Sequence, residues 1–220
     1  MLFQVLIMFF PWWLRRPLLC WRYGFKIDKH ARIGYSLILP KRLEMAKDAR
    51  IHHLVICKPI DLLSMGPDSG IGSMTFITGI PTSNAVHFRH VESRKCELVL
   101  GRGVGITGRH YIDCNGGVYV DCFTTIAGLR SQILTHSIDI YNCRQHAAPV
   151  HIGKFCFIGT NCVILPGASL PDYSVLGACA VLNKTYTESC MLYAGTPARP
   201  RKKINFETTP YFHRVVLNVV

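Results

Sequence analysis

The sequence predicts an all-β protein in which short parallel strands stack as coils around one core. Aliphatic residues recur at every sixth position between residues 150 and 184, and they are Ile152, Ile158, Ile164, Leu170, Leu176 and Leu182. A period of six is a multiple of the two-residue period of a strand, and it does not match the 3.6-residue period of a helix. The spacing therefore predicts a β-helix of hexapeptide repeats, with three units in each triangular coil of about 18 residues.

A second column of residues supports the same fold. Two positions before each aliphatic residue stands a small or β-branched residue, in the order Val150, Cys156, Cys162, Ala168, Ser174 and Ala180. Gly153, Gly159, Pro166 and Gly167 argue against a helix over the same stretch. We expect the aliphatic side chains to point into the prism and the small ones to fit its tight corners.

The repeats begin earlier in the chain but are less regular there. From Ile33, a step of six reaches Leu39, Met45, Ile51, Cys57 and Leu63, and Ile71 and Ile77 follow after a slip of two residues. The pattern breaks at residues 81–97 and 130–148, which predicts two loops that protrude from the prism. The predicted organisation is an N-terminal segment at 1–32, the β-helix at 33–193 and a basic C-terminal tail at 194–220.

The positive charge lies mainly at the two ends of the chain. The formal net charge is +12, and residues 1–32 hold six basic residues against one acid, Asp28. Residues 194–220 hold five basic residues against Glu207. This distribution suits a membrane surface or an anionic ligand. No helix-turn-helix, zinc-finger or RNA-recognition pattern occurs, so we expect no nucleic-acid partner.

The N-terminal segment has two interpretations. Its uncharged run ends at Leu14 and is interrupted by Pro11, so it is too short to span a bilayer, and it lacks the features of a secretory signal. Its three tryptophans, Trp12, Trp13 and Trp21, stand beside basic residues, as in a peripheral membrane anchor. The alternative is a cap that buries apolar side chains over the open end of the β-helix.

The ten cysteines do not predict a disulfide framework. No CxxC pair occurs, and Cys156 and Cys162 take corner positions where other repeats have Val, Ala or Ser. They are therefore interpreted as small buried hydrophobic residues. This usage indicates a reducing compartment, and we expect a cytoplasmic protein, with the inner face of the membrane as a second location.

Several segments resemble the hexapeptide-repeat acyltransferases, and the polysaccharide-biosynthesis and colanic-acid-type O-acetyltransferases most closely. They are ILTHSID at 133–139, PVHIG at 149–153, FIGTNCVILPGASL at 157–170 and AGTPAR at 194–199. The resemblance covers about residues 98–203. It implies a left-handed β-helix, a homotrimer with sites between subunits, acetyl-CoA or another acyl-CoA as donor, a sugar hydroxyl as acceptor and no metal.

The resemblance assigns His136 as the catalytic histidine. A neutral imidazole within hydrogen-bond reach can take the proton of an acceptor hydroxyl, whose own pKa lies far above 7. Asp139, three residues on, is the predicted orienting partner of the imidazole.

The donor and acceptor sites follow from the same resemblance. Phe157, Thr160, Ala178 and Lys184 match contact positions for coenzyme A, and Lys184, Arg199, Arg201 and Lys202 are suitable cations for its phosphates. Asp113 matches a carboxylate that binds sugar hydroxyls in relatives. His110, Asn115 and Arg130 lie near it in the sequence and complete the predicted acceptor site.

Two other functions remain open from the sequence. His110, His146 and His151 are spaced 36 and 5 residues apart, which resembles the zinc ligands of the γ-class carbonic anhydrases. A hexapeptide prism can also serve as a non-catalytic scaffold subunit. The prediction favoured here is an O-acyltransferase acting on a sugar or polysaccharide intermediate.

Overall fold

A computed structural model describes residues 2–215 of the chain. Two α-helices, α1 (Leu2–Ile7) and α2 (Trp12–Tyr23), precede a long series of short strands. The strands are β1 (Lys26–Ile27), β2 (Arg32–Ile33), β3 (Leu37–Ile38), β4 (Arg42–Met45), β5 (Arg50–Ile51), β6 (Ile56–Cys57), β7 (Leu62–Met65), β8 (Gly70–Ile71), β9 (Phe76–Thr78), β10 (Glu97–Leu100), β11 (Gly105–Ile106), β12 (Tyr111–Asp113), β13 (Val118–Val120), β14 (Thr125–Ile126), β15 (Gln132–Ile133), β16 (His136–Asp139), β17 (Arg144–Ala147), β18 (Val150–Ile152), β19 (Phe157–Ile158), β20 (Val163–Ile164), β21 (Ser169–Leu170), β22 (Val175–Leu176), β23 (Val181–Leu182), β24 (Met191–Ala194) and β25 (Arg199–Lys203). A 3-10 helix spans Pro210–His213.

Three sheets form the sides of a prism. Sheet A has the order β1-β4-β7-β10-β13-β18-β21, and sheet C has the order β3-β6-β9-β12-β15-β20-β23. Sheet B has the order β2-β5-β8-β11-β14-β19-β22-β24-β25. Successive coils add one parallel strand to each of these sheets, and sheet B ends with the antiparallel pair of β24 and β25. Strands β16 and β17 form a separate antiparallel hairpin. The predicted β-helix of hexapeptide repeats is confirmed.

The core is three columns of inward side chains, one for each sheet. The column of sheet B is Ile33, Ile51, Ile71, Ile106, Ile126, Ile158, Leu176 and Tyr193, and strand register places each above the next. All of them are buried, as are the small corner residues Cys156, Cys162 and Ala168. The strict spacing of six that predicted this arrangement holds from Ile152 to Leu182.

The first coils depart from that spacing. The inward residue of β3 is Ile38, which is buried, whereas Leu39 is only half-buried. The prediction that Leu39 points inward is therefore wrong by one residue. Because side chains alternate between the two faces of a strand, a shift of one position exchanges the core residue for its neighbour.

The N-terminal helices cap the open end of the prism by satisfying strand edges. The side chain of Gln4 donates to the carbonyl of Ile38 and accepts from its N–H, at 2.5 and 3.0 Å. Arg15 donates to the carbonyls of Ile33 and Gly34 at 3.3 and 2.9 Å, and Arg16 donates to Ile27 at 2.6 Å. The cap thus meets the edge strand of every sheet, where unpaired backbone groups would otherwise invite another strand.

The far end differs from the predicted tail. Strand β25 pairs with β24, so residues up to Lys203 extend sheet B rather than leave the prism. The 3-10 helix then folds back, and the Tyr211 hydroxyl donates to the carbonyl of Cys156 at 3.0 Å. Residues 216–220 of the predicted tail lie outside the described residues. None of the described helices combines the length and the apolar character that a membrane crossing requires.

Candidate active site at a coil corner

His136 lies where the chain turns from sheet C to sheet A, a position called the CA corner. The predicted loop at 130–148 holds strand β15 and then the hairpin of β16 and β17, in which His136 pairs with Ala147. The hairpin is an insertion between β15 of one coil and β18 of the next. It carries the imidazole at the base of a protrusion while the coil beneath remains intact.

The imidazole is held by Asp113. The Nδ1 atom of His136 lies 2.6 Å from Oδ2 of Asp113, whose side chain is fully buried. The side chain of His136 is 36% exposed. Because Nδ1 donates a hydrogen bond to the ionised carboxylate, the Nε2 atom carries the free electron pair of the neutral ring.

A network of hydrogen bonds fixes the carboxylate. Oδ2 of Asp113 accepts the N–H groups of Thr135 and His136 at 2.9 and 3.1 Å, and Oδ1 accepts the N–H and the side-chain amide of Asn115. Burial alone would raise the pKa of Asp113, but the hydrogen bonds from His136, Thr135 and Asn115 outweigh it and hold that pKa below its ordinary value. The carboxylate therefore stays ionised beneath the imidazole.

The same contact affects the histidine in the opposite direction. The hydrogen bond to Asp113 raises the pKa of His136, and partial burial opposes that increase without cancelling it. A base with a pKa somewhat above the ordinary value of about 6.5 is a stronger proton acceptor near neutral pH.

Asp139 does not orient His136, so that part of the prediction is wrong. Asp139 ends β16, and its carboxylate caps the hairpin turn by accepting the N–H of Tyr141 and the side-chain amide of Asn142 at 3.0 and 2.7 Å. Adjacent residues of a strand point to opposite faces, so His136 and Asp139 lie on opposite faces of β16.

Asp113 also differs from its predicted role. Its two oxygens accept bonds from the protein itself and are buried, so the geometry supports orientation of His136 rather than direct contact with a sugar hydroxyl. Asn115 lies at the same corner, with its Nδ2 atom 3.2 Å from Nδ1 of His136 and its Oδ1 accepting the N–H of Ile80.

The loop predicted at 81–97 forms one wall of the site. The ring of Phe88 is buried and meets the imidazole of His136 edge-on, with centroids 6.1 Å apart. Arg94 lies over Phe88 and donates to the carbonyls of Ile80 and Asn115 at 2.8 and 3.0 Å. Periodicity could not have identified Phe88, because the loop has no repeat.

The loop is also tied to the hairpin. Nδ1 of His87 lies 2.9 Å from Oε1 of Gln145 on β17. Both insertions leave the prism at the CA corner. The loop at 81–97 lies one coil before the turn that holds Asp113 and Asn115, and the hairpin lies one coil after it. The site is therefore assembled from three successive coils.

Two predicted acceptor residues lie elsewhere. His110 and Arg130 occupy the BC corner, where the chain turns from sheet B to sheet C. The strands of sheet C begin at this corner and end at the CA corner, where Asp113 lies. His110 is buried, with Nε2 2.9 Å from the Thr107 hydroxyl and Nδ1 accepting the N–H of Ser131. The structure does not bring either residue to His136 within one chain.

The predicted donor residues are spread over the last coils. Thr160 and Ala178 lie on successive coils of the BC corner, and Phe157 lies on β19 of sheet B. A Cβ atom at Gly159 would approach the backbone nitrogen of Ala178 to 2.6 Å, so this corner requires the glycine. Lys184 follows β23 and lies over the ring of Tyr186, whereas the exposed Arg199, Arg201 and Lys202 lie on β25.

The three histidines of the zinc hypothesis are not brought together in this chain. His110 is buried at the BC corner, His146 is exposed on β17, and His151 stacks on Tyr119 on sheet A with ring centroids 4.8 Å apart. Within residues 2–215, no three His, Cys, Asp or Glu side chains form a group that could hold a metal ion.

The fold and the corner geometry define a hexapeptide-repeat β-helix protein in which a buried carboxylate holds a partly exposed histidine. No protein-family model matches the chain. The galactoside O-acetyltransferase of Escherichia coli (strain K12) is 32% identical over 73 residues, which are 33% of this chain and 36% of the relative. The matched segment thus spans about a third of that curated relative's length.

Two solved structures resemble the whole prism. A polysialic acid O-acetyltransferase matches with a TM-score of 0.65 and 17% identity over 81% of this chain and 84% of its own. An N-acyltransferase from Bacillus cereus, solved with dTDP-4-amino-4,6-dideoxyglucose and coenzyme A, matches with a TM-score of 0.55 and 13% identity over 87% and 89%. At these identities the structures establish the fold. The predicted resemblance to hexapeptide-repeat acetyltransferases is confirmed.

Proposed function

We propose that the chain is an O-acyltransferase that moves an acetyl group from acetyl-CoA to a hydroxyl of a sugar or polysaccharide intermediate. The observation that carries this proposal is the contact of 2.6 Å between Nδ1 of His136 and buried Asp113, which leaves Nε2 as a free base at an accessible corner. The similarity to galactoside O-acetyltransferase supports the same chemistry.

In the proposed reaction, Nε2 of His136 takes the proton of the acceptor hydroxyl as its oxygen attacks the thioester carbonyl. The C–O bond forms, and the tetrahedral intermediate then breaks its C–S bond. The thiolate of coenzyme A leaves and receives the proton from Nε2, so the histidine returns to its neutral form. Asp113 stabilises the transient imidazolium and keeps the tautomer in which Nδ1 carries hydrogen. No acyl-enzyme is formed.

The donor site in this proposal lies along the BC corner, where Thr160, Ala178 and the neighbouring ring of Phe157 would contact the pantetheine arm. Arg199, Arg201 and Lys202 on β25 would neutralise the phosphates, because their side chains are exposed cations. Lys184 follows β23 at the CA corner, so it would reach a donor at the BC corner of a neighbouring subunit.

A homotrimer would bring the two corners together. In one chain, the BC corner lies where the strands of sheet C begin, and the CA corner with His136 lies where they end. A donor bound at the BC corner therefore reaches His136 only in a neighbouring subunit. Light scattering tests this part of the proposal, since a trimer has three times the chain mass of 24.8 kDa.

We also propose peripheral contact of the N-terminal cap with the inner face of the membrane. The cap buries one face and leaves large apolar side chains in solvent, with Phe9, Trp13 and Trp21 each exposed by at least three-quarters. Arg22, Lys26 and Lys29 follow, and no acid precedes Asp28. Tryptophan beside basic residues is typical of an interfacial anchor on anionic lipid.

The test of the transferase proposal has two steps. Calorimetry measures acetyl-CoA binding by the wild type and by Lys184→Ala, and we expect saturable binding that the substitution weakens. Mass spectrometry then screens sugars and oligosaccharides for the mass gain of one acetyl group. Absence of acetyl-CoA binding at millimolar concentration would contradict the proposal and favour a non-catalytic scaffold.

A further inference from the structure

A cavity of about 480 Å³ lies at the BC corner, and the acetyl transfer proposed above assigns no role to its arginines. Its lining includes Arg109, Arg130, Tyr111, Gln132 and Asn161. No carboxylate of the described residues lines it. The wall of the cavity is therefore rich in cations and hydrogen-bond donors.

The two arginines leave consecutive coils at equivalent positions. The N–H of Arg130 donates to the carbonyl of Arg109 at 2.9 Å, and both residues have a left-handed backbone, with φ of 62° and 64°. Met74 and Asn161 have the same conformation on the flanking coils, at 60° and 56°. Because the corner geometry repeats, the side chains form a column with the spacing of neighbouring strands, about 4.8 Å.

Both guanidinium groups are exposed and lack a salt-bridge partner within the described part of the chain. Two like charges on adjacent coils repel one another, and an anion between them adds two attractive interactions that outweigh the repulsion. A guanidinium presents parallel N–H groups that match the oxygens of a phosphate or carboxylate.

Neutral groups complete the cavity. His110 lies at its base, where burial lowers the pKa of the imidazole and both ring nitrogens are engaged by Thr107 and Ser131. The amides of Gln132 and Asn161 can donate further hydrogen bonds to an oxyanion. A neutral sugar would leave both positive charges uncompensated, so the cavity favours an anionic group.

We propose that Arg109 and Arg130 form a binding site for an oxyanion, a phosphate or carboxylate, that is carried by a ligand of this protein. The site itself does not depend on acetyl transfer. Assigning its ligand rests on the proposed function, because the oxyanion belongs either to the donor's phosphates or to an acidic or phosphorylated acceptor sugar.

The test is calorimetric titration of the full chain with inorganic pyrophosphate. We expect the double variant Arg109→Gln/Arg130→Gln to lose one saturable site or to bind it at least tenfold more weakly. The matched control is Arg32→Gln/Arg50→Gln, which removes the same charge from another exposed arginine pair in strand register, on sheet B. The control should change the affinity by less than twofold.

Equal weakening in the two double variants would mean that only net charge matters, and it would overturn the proposal. Absence of saturable pyrophosphate binding by the wild type would overturn it as well. Unchanged melting temperatures establish that both variants fold.

A second titration identifies the source of the oxyanion. If Arg109→Gln/Arg130→Gln weakens the binding of coenzyme A but not that of its 3′-dephospho form, the site holds the donor's 3′-phosphate. If donor binding is unchanged and the KM for an acidic acceptor rises while that for a neutral acceptor does not, the site selects the acceptor. The pyrophosphate result stands in either outcome, so a failure of acetyl transfer is distinguishable from a failure of the anion site.

Discussion

The carboxylate of Asp113 and the imidazole of His136 are 23 residues apart in sequence and 2.6 Å apart in the fold. Their strands are neighbours in sheet C, where Ile112 of β12 pairs with Ile133 of β15. The coils therefore place Asp113 at the end of β12 and His136 three residues beyond the end of β15, at the same corner. This stacking produces an oriented base without any local sequence motif that contains both residues.

We expect Asp113→Asn to reduce kcat/KM by about 10²- to 10⁴-fold, because the imidazole loses the group that fixes its tautomer and stabilises its charged form. Since Asp113 raises the pKa of His136, its replacement lowers that pKa. The acidic limb of the pH–rate profile should therefore move to lower pH. Asp139→Asn is the matched control, and an equal loss of activity there would contradict the assignment.

The pair also predicts a pH dependence of stability. A histidine whose pKa is raised on folding stabilises the native state fully below its unfolded pKa, and this contribution is lost as pH rises through the folded pKa. The free energy of unfolding should thus differ between wild type and His136→Gln more at pH 6 than at pH 9. Urea titrations at both pH values measure it. A difference that grows toward pH 9 would have the wrong sign.

Phe88 should affect activity through the position of the imidazole. We expect Phe88→Ala to lower kcat by about tenfold, because loss of the wall lets His136 leave the reactive geometry. Phe76→Ala is the control, since Phe76 stacks on Tyr111 on the outer face of sheet C. Equal kcat values in wild type and Phe88→Ala would show that the loop does not position the base.

Arg15 should stabilise the capped end. Its guanidinium is buried and donates to backbone carbonyls of the edge strands, so we expect Arg15→Ala to lower the free energy of unfolding by about 2 kcal/mol. The exposed Arg22 provides the control, and Arg22→Ala should have little effect. If both variants unfold at the same denaturant concentration, the cap does not depend on these bonds.

Membrane contact is tested by sedimentation with vesicles that contain anionic phospholipid. The variant Trp13→Ala/Trp21→Ala should bind several-fold more weakly, because both rings are exposed on the cap. Binding should also fall as salt screens the basic residues. Phe206→Ala, an aromatic substitution at the other end of the prism, is the control. Equal binding by all three proteins would remove the membrane proposal.

The regular coils were predictable because each of their positions has one structural role. From Ile152 to Leu182, alternation within strands and a fixed step of six leave no freedom in register. The first coils vary in step, and there the prediction chose Leu39 where Ile38 is inward. The step from Ile33 to Ile38 is five residues, and a corner that is one residue shorter changes the step without changing the composition.

The site was predictable only in part, since its contacts run between coils and through insertions. His136 was found by resemblance, but its nearest acid in sequence, Asp139, is on the far face of β16 and caps a turn. Tyr111 pairs with Gln132, 21 residues further along the chain, and this register places Asp113 near the start of the hairpin. The sequence does not give that register, because the two coils differ in length. Phe88 lies in an aperiodic loop, which gives no such signal.

The most direct test of the central claim compares acetyl transfer by the wild type with that by His136→Asn. The asparagine amide can still donate a hydrogen bond to Asp113, but it cannot accept a proton near neutral pH. The account predicts that turnover falls by at least about 10²-fold while the affinity for acetyl-CoA, measured by calorimetry, is unchanged. Transfer at the wild-type rate in this variant would contradict the assignment of His136 as the general base.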